Sequence, residues 1–243
     1  MLRTNDNINV FNSEQVAGKR IFLFAGHYGS GKSEVAVNFA MGLSRLYSTA
    51  IVDFDIVNTF FRAAGARNEL ERGGIRVVAP VYANTNVDVP ALPAEISGLF
   101  GDSAVKAVFD VGGDGAGAKA VSRYRDDFAK EDYANFFVFN IRRPMTSTLR
   151  QITEYFYEIQ GSARLPFTAI INNTNLLGET GAQDLLEGLD TAGELSRRLS
   201  LPVAFSAYMF GAGGEKPYMP GEFAMRAAEM RIPIFIMKKY IHM

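Results

Sequence analysis

RIFLFAGHYGSGKS, residues 20–33, runs an apolar segment into eight positions that hold three glycines and a lysine. Ile21–Ala25 is short and rich in β-forming residues, and SEVAVNFAMGLSRL (33–46) repeats apolar residues at helical spacing. A strand, a glycine turn and a helix therefore follow one another. The turn is spaced Gly26-x-x-x-x-Gly31-Lys32-Ser33, the pattern of a phosphate-binding loop. Glycine allows positive φ and brings backbone N–H groups close to phosphate oxygens, while the helix that follows aims its positive end at the same charge. The candidate phosphate ligands are Gly26, Gly29, Ser30 and Gly31 through the loop, with Lys32 reaching the β and γ phosphates. Ser33 is the candidate ligand of a bridging Mg2+. The plain alternative is a glycine-rich turn that binds nothing.

Outward from this turn, strands alternate with helices. Ser48–Asp55, Gly74–Pro80, Ser103–Gly113, Asn135–Pro144, Leu165–Asn175 and Leu201–Met209 read as strands, with helical stretches such as Thr146–Gln160 and Gly181–Leu199 between them. Near-continuous apolar strands separated by helices predict an α/β fold: three layers, a mostly parallel central sheet, helices on both faces. The tail RIPIFIMKKYIHM mixes apolar and basic residues, but its β-branched run and Pro233 predict a terminal strand over an amphipathic membrane helix.

The composition bounds the function. The 243 residues suit a single domain, 1–243, with residues 1–18 as a segment that can be flexible. A formal net charge of -1 gives no global reason to bind nucleic acid or an anionic membrane. The absence of cysteine removes disulfides, thiolate nucleophiles and cysteine-ligated metals together. The N-terminus lacks the apolar core of a signal peptide, and no apolar run reaches the ~18 residues of a membrane span, so a cytoplasmic location is expected.

In open parallel sheets, ligands bind outside the carboxyl ends of the strands. The distinctive polar residues fall there: Asp53 and Asp55, Asp110–Asp114 and Asn172–Asn175. The run VKAVFDVGG reads as a strand delivering Asp110 to the water shell of the Mg2+, with Gly113 placed to offer its N–H to a γ phosphate; an aspartate after a strand is otherwise a turn or cap residue. In IINNTN, an asparagine amide offers the donor and acceptor that match an adenine edge, so Asn172, then Asn173, are candidates for the base pocket. Asparagines also favour strand-end turns. No Asn-Lys-x-Asp pattern signals guanine, so ATP is preferred over GTP.

Together, the phosphate loop, IVDFDIVNTFFR and VFDVGGD resemble the MinD/ParA/cobyrinic-acid-synthase superfamily of P-loop nucleotide-binding proteins over roughly Arg20–Ala207. The resemblance implies ATP and Mg2+ binding and frequent homodimerisation. It implies that Lys32 and Asp55 are catalytic, Asp55 as the residue that orients or deprotonates the attacking water. Asp53 is then support for the metal's outer shell, its alternative being a strand-end cap. The chain departs from the pattern at His27, where many relatives carry a lysine that crosses to a partner subunit; His27 reads as a packing or general polar residue.

Three functions remain open at this level. One is an ATP- and Mg2+-dependent NTPase that switches an unidentified protein partner. Another is a small-molecule kinase or an ATP-dependent ligase/amidotransferase-like enzyme whose substrate loops are Tyr82–Pro93 and Gly211–Pro220. The third is a nucleotide-binding scaffold without appreciable hydrolysis. Asn58, Arg62, Arg123 and Arg125 are further loop residues that could meet a phosphate, a substrate or a partner.

Overall fold

Ile21–Ala25 forms the strand the sequence predicts, and all five of its residues are buried. The structure, a computed structural model, describes residues 7–54, 64–78, 94–113, 115–209 and 219–240. Within these, the strands are β1 (Ile21–Ala25), β2 (Thr49–Phe54), β3 (Arg76–Val78), β4 (Lys106–Val111), β5 (Tyr133–Phe139), β6 (Ala169–Asn172), β7 (Val203–Met209) and β8 (Ile234–Met237). They form one sheet in the order β3-β2-β4-β1-β5-β6-β7-β8, and each described pairing is parallel. Chain direction along the sheet reverses at β1, which lies between β4 and β5. The glycine loop therefore leaves the carboxyl end of the strand at the topological switch point, where such sheets bind ligands.

The helices are α1 (Ile8–Phe11), α2 (Lys32–Leu43), α3 (Ala64–Arg72), α4 (Ala94–Gly101), α5 (Gly115–Ser122), α6 (Arg125–Phe128), α7 (Leu149–Ala163), α8 (Ala182–Leu199) and α9 (Gly221–Glu229). Strand alternation sorts the core into two faces. Phe22 and Phe24 of β1 point to the α2 side, where Phe39 meets them at ring-centroid distances of 5.0 and 5.1 Å. Ile21, Leu23 and Ala25 point to the other side, joining Phe109, Phe128, Phe137 and Phe156 beneath α5 and α7. Because α2 is buried on nearly every side, its sequence carries little polar face. A smaller cluster of Leu185, Leu189, Phe223, Ala227 and Ile232 joins α8 to α9.

Residues 7–18, read from the sequence as a segment that can be flexible, are instead packed. Val10 and Phe11 of α1, with Val16, lie in the α2-side core. Asn7 donates to the Ile236 carbonyl at 2.9 Å and accepts from the Ile236 N–H at 2.8 Å, fastening the N-terminal segment to β8. The tail is a strand, as its β-branched run predicts. Beyond β8 the chain stays attached to α2: Asn38 exchanges two hydrogen bonds with the Lys238 backbone, and Glu34 accepts from the Tyr240 N–H. Among the described residues no helix is long and apolar enough to cross a membrane.

Candidate nucleotide site

The glycines of the loop are required by close neighbours or by backbone conformation. A Cβ on Gly26 would lie 2.1 Å from the Val138 carbonyl oxygen of β5, so only glycine lets the chain turn this close to the adjacent strand. Gly29 and Gly31 have φ of +82° and +79°, the left-handed region that glycine enters without cost. Gly31 is also the N-cap of α2, and as a glycine it supplies no capping side chain. The N–H groups of the first turn and the positive end of the helix dipole therefore face outward, available to an anion.

Within this cradle Lys32 is only 6% exposed, and among the described residues its ammonium has no ion-pair partner. Ser33, the second residue of α2, is half-buried. The Ser30 N–H closes a turn onto the His27 carbonyl at 3.0 Å, and the buried Ser30 Oγ has no hydrogen-bond partner among the described residues. A buried hydroxyl left over at the start of a helix is what a phosphate oxygen would satisfy.

The two aspartates come together through strand register. Asp53 of β2 pairs with Asp110 of β4, and they are 2% and 3% exposed. They share parity with Ile51 and Val108, which pack on the α2 side, so both carboxylates belong to the face where α2 begins. The sequence reading set both just past a strand's end; they lie inside β2 and β4, because the apolar pairing runs through the acids before it stops. Gly113 follows closely: a Cβ there would lie 2.8 Å from the Tyr28 N and 3.0 Å from the Gly26 oxygen. The segment 110–113 thus rests on the backbone of the phosphate loop.

Asn172 and Asn173, the candidates for the base pocket, both have protein partners for their amides. Asn172 donates to Ser206 Oγ at 2.9 Å and accepts from the Thr174 N–H and hydroxyl at 3.0 and 2.7 Å. Asn173 donates to the Ser30 carbonyl at 2.7 Å and accepts from Asn175 Nδ2 at 3.2 Å. Both are 2% exposed, so their named contacts all go to protein atoms. Asn173 props the phosphate loop from behind.

His27 makes one polar and one ring contact. Its Nδ1 lies 2.8 Å from the Tyr28 carbonyl, and its ring centroid is 4.1 Å from that of Tyr155. Arg125 is exposed and bonds its neighbour Asp126 at 3.0 Å. Asp55, Asn58, Arg62 and Asp114 lie outside the described residues, as do residues 82–93 and 211–218 of the two expected substrate loops.

The sequence reading missed Arg142 and Arg143, whose only signal was a basic doublet between β5 and Pro144. Arg142 is held by Asp184 at 2.6 Å and by Glu187 of α8. Burial alone would lower its pKa, but the hydrogen bonds and charges of Glu187 and Asp184 outweigh burial and raise it. Arg143 instead turns to the loop and donates from Nε to the Gly29 carbonyl at 3.0 Å.

No family model and no curated protein matches the chain. Solved structures do. The cell division protein FtsY from Thermotoga maritima is similar over 92% of this chain and 74% of its own, at 16% identity and a TM-score of 0.57. The signal recognition particle receptor FtsY from Elizabethkingia anophelis, in complex with GDP, is similar over 88% and 65% at 15% identity and a TM-score of 0.52. The signal recognition particle 54 kDa protein from Aeropyrum pernix K1, also in complex with GDP, is similar over 93% and 51% at 20% identity and a TM-score of 0.51. At these identities the likeness shows the fold, an α/β P-loop architecture. The MinD/ParA branch that the motifs resemble is not among these structures.

Proposed function

We propose that the protein is a Mg2+-dependent P-loop nucleoside triphosphatase that acts as a nucleotide-dependent switch. The observation that carries this reading is the uncapped start of α2 at the sheet's switch point, with Lys32 buried and unpaired among the described residues and Ser30 Oγ unsatisfied. Lys32 neutralises the β and γ phosphates, and the loop N–H groups hold their oxygens. The donor set fits magnesium, which prefers oxygen ligands and retains several waters. Ser33 would hold the ion directly, Asp110 through water, with Asp53 beside it; the ion would supply charge neutralisation between the phosphates.

In this reading Gly113, whose added Cβ would press on Tyr28 of the loop, reports the γ phosphate. Water positioning by Asp55 rests on the sequence resemblance. The contact that such a switch controls, whether a homodimer interface, a protein partner or a small-molecule substrate, belongs to the same proposal.

ATP is the first reading of the nucleotide. The segment Asn172–Asn175 holds no carboxylate to accept from the guanine edge. GTP is the second reading, favoured by the GDP bound in two of the similar structures. Mg2+-dependent turnover of ATP and GTP by the purified protein, with Lys32→Ala as control, tests both. Turnover that survives Lys32→Ala, or no binding of either nucleotide, refutes the assignment.

A further inference from the structure

We propose that Arg143 is a phosphate-contacting residue that meets the terminal phosphate of the bound nucleotide from the turn after β5. The inference rests on the nucleotide reading above and adds a residue to it.

The two arginines of the doublet have opposite fates. Arg142 is neutralised by Asp184 and Glu187. Among the described residues Arg143 has no ion pair, and its one hydrogen bond there runs from Nε to the Gly29 carbonyl. That bond uses Nε and, among the described residues, leaves the Nη1 and Nη2 fork without a partner, an edge that suits a phosphate.

The turn that presents Arg143 is fixed on several sides. Asn140 donates to the Asn175 carbonyl at 3.0 Å, the Thr146 hydroxyl donates to the Asn140 carbonyl at 2.7 Å, and the Arg142 N–H donates to Asn140 Oδ1 at 2.9 Å. The Arg143 side chain then lies along Gly29, its Cδ 3.6 Å from where a Cβ of that glycine would stand. Gly29 follows Tyr28, on which Gly113 rests, so this part of the loop adjoins the end of the site assigned to the γ phosphate. A nucleoside triphosphate is polyanionic, and Arg143 adds a second cation to Lys32 at that end.

The test is calorimetric titration of wild type, Arg143→Gln and Arg143→Lys with ATP, ADP, GTP and GDP in Mg2+, alongside thermal unfolding. Arg143→Gln should weaken triphosphate binding by about tenfold or more, as expected for a lost charge-assisted contact. Diphosphate affinity and thermal midpoint should stay close to wild type. Arg143→Lys, which keeps charge without the planar fork, should fall between. Equal weakening of di- and triphosphates would make Arg143 a prop of the loop and overturn the proposal, as would no change in either. Failure of the underlying reading is distinguishable, because wild type itself would then show no binding that depends on Lys32; that result overturns both.

Discussion

Replacing Asn173 by alanine separates two roles for the same side chain. As built, its Nδ2 donates to the Ser30 carbonyl at 2.7 Å, and a Cβ on Gly31 would come within 2.4 Å of that nitrogen, so the amide touches two successive residues of the loop. Its Oδ1 accepts from Asn175, which keeps a second bond to the Asn173 carbonyl at 2.8 Å and is not stranded by the change. The loss is therefore one buried hydrogen bond plus a Ser30 carbonyl without its partner, together about 2–3 kcal/mol. In a chain of this size that corresponds to a fall of roughly 4–12 °C in thermal midpoint. Because the damage is to loop shape, ATP and GTP affinities should fall by the same factor, measured by calorimetry. Asn173→Asp, which keeps the shape but sets a carboxylate against the carbonyl, should be at least as damaging. An unchanged midpoint with a loss confined to one base would refute the reasoning and restore Asn173 to a base edge.

Two other perturbations probe neighbouring parts of the site. Gly113→Ala would set a methyl group 2.8 Å from the Tyr28 nitrogen and should cut steady-state turnover by about tenfold or more, with the thermal midpoint within a few degrees of wild type; unchanged turnover would show that segment 110–113 is not tied to the loop. The Glu187 carboxyl is held below its usual range by hydrogen bonds from Gln183 and Arg142. A depressed carboxyl contributes stability that is fully present above the unfolded value near 4.5 and is lost as pH falls through the lower folded value. The urea midpoints of wild type and Glu187→Gln should accordingly differ at pH 6 and converge only on acidification below that range, whereas a gap that widens in acid would contradict the sign.

The strands were legible because burial on both faces makes them nearly continuous apolar runs, with polar residues such as Asp53 and Asp110 falling near their carboxyl ends. β1 runs over the predicted residues, and the tail strand follows from its β-branched run. The N-terminal segment was not legible, for a physical reason. Its anchor is the pair of bonds between Asn7 and Ile236, two residues at opposite ends of the chain, and α1 is too short for apolar periodicity to reveal a buried face. The glycine loop was legible to the level of the fold but not of the branch, since Gly26, Gly31, Lys32 and Ser33 serve phosphates and an ion that P-loop proteins share.

The polar residues around the loop show where residue type stops being informative. An asparagine amide is as complementary to a hydroxyl and a backbone N–H as to an adenine edge, and only the positions of Ser206 and Thr174 assign Asn172 to the protein interior. Asp53 and Asp110 are distant in sequence, and their adjacency depends on β2 and β4 being neighbours, although β3 comes between them in the chain. The arginine doublet is the sharpest case. Nothing local distinguishes Arg142 from Arg143; the difference arises because α8 brings Asp184 and Glu187 to one and β1 delivers the Gly29 carbonyl to the other. Residues whose partners are backbone atoms of a local motif can thus be read early, whereas a side chain's use follows from which distant element supplies its counter-charge.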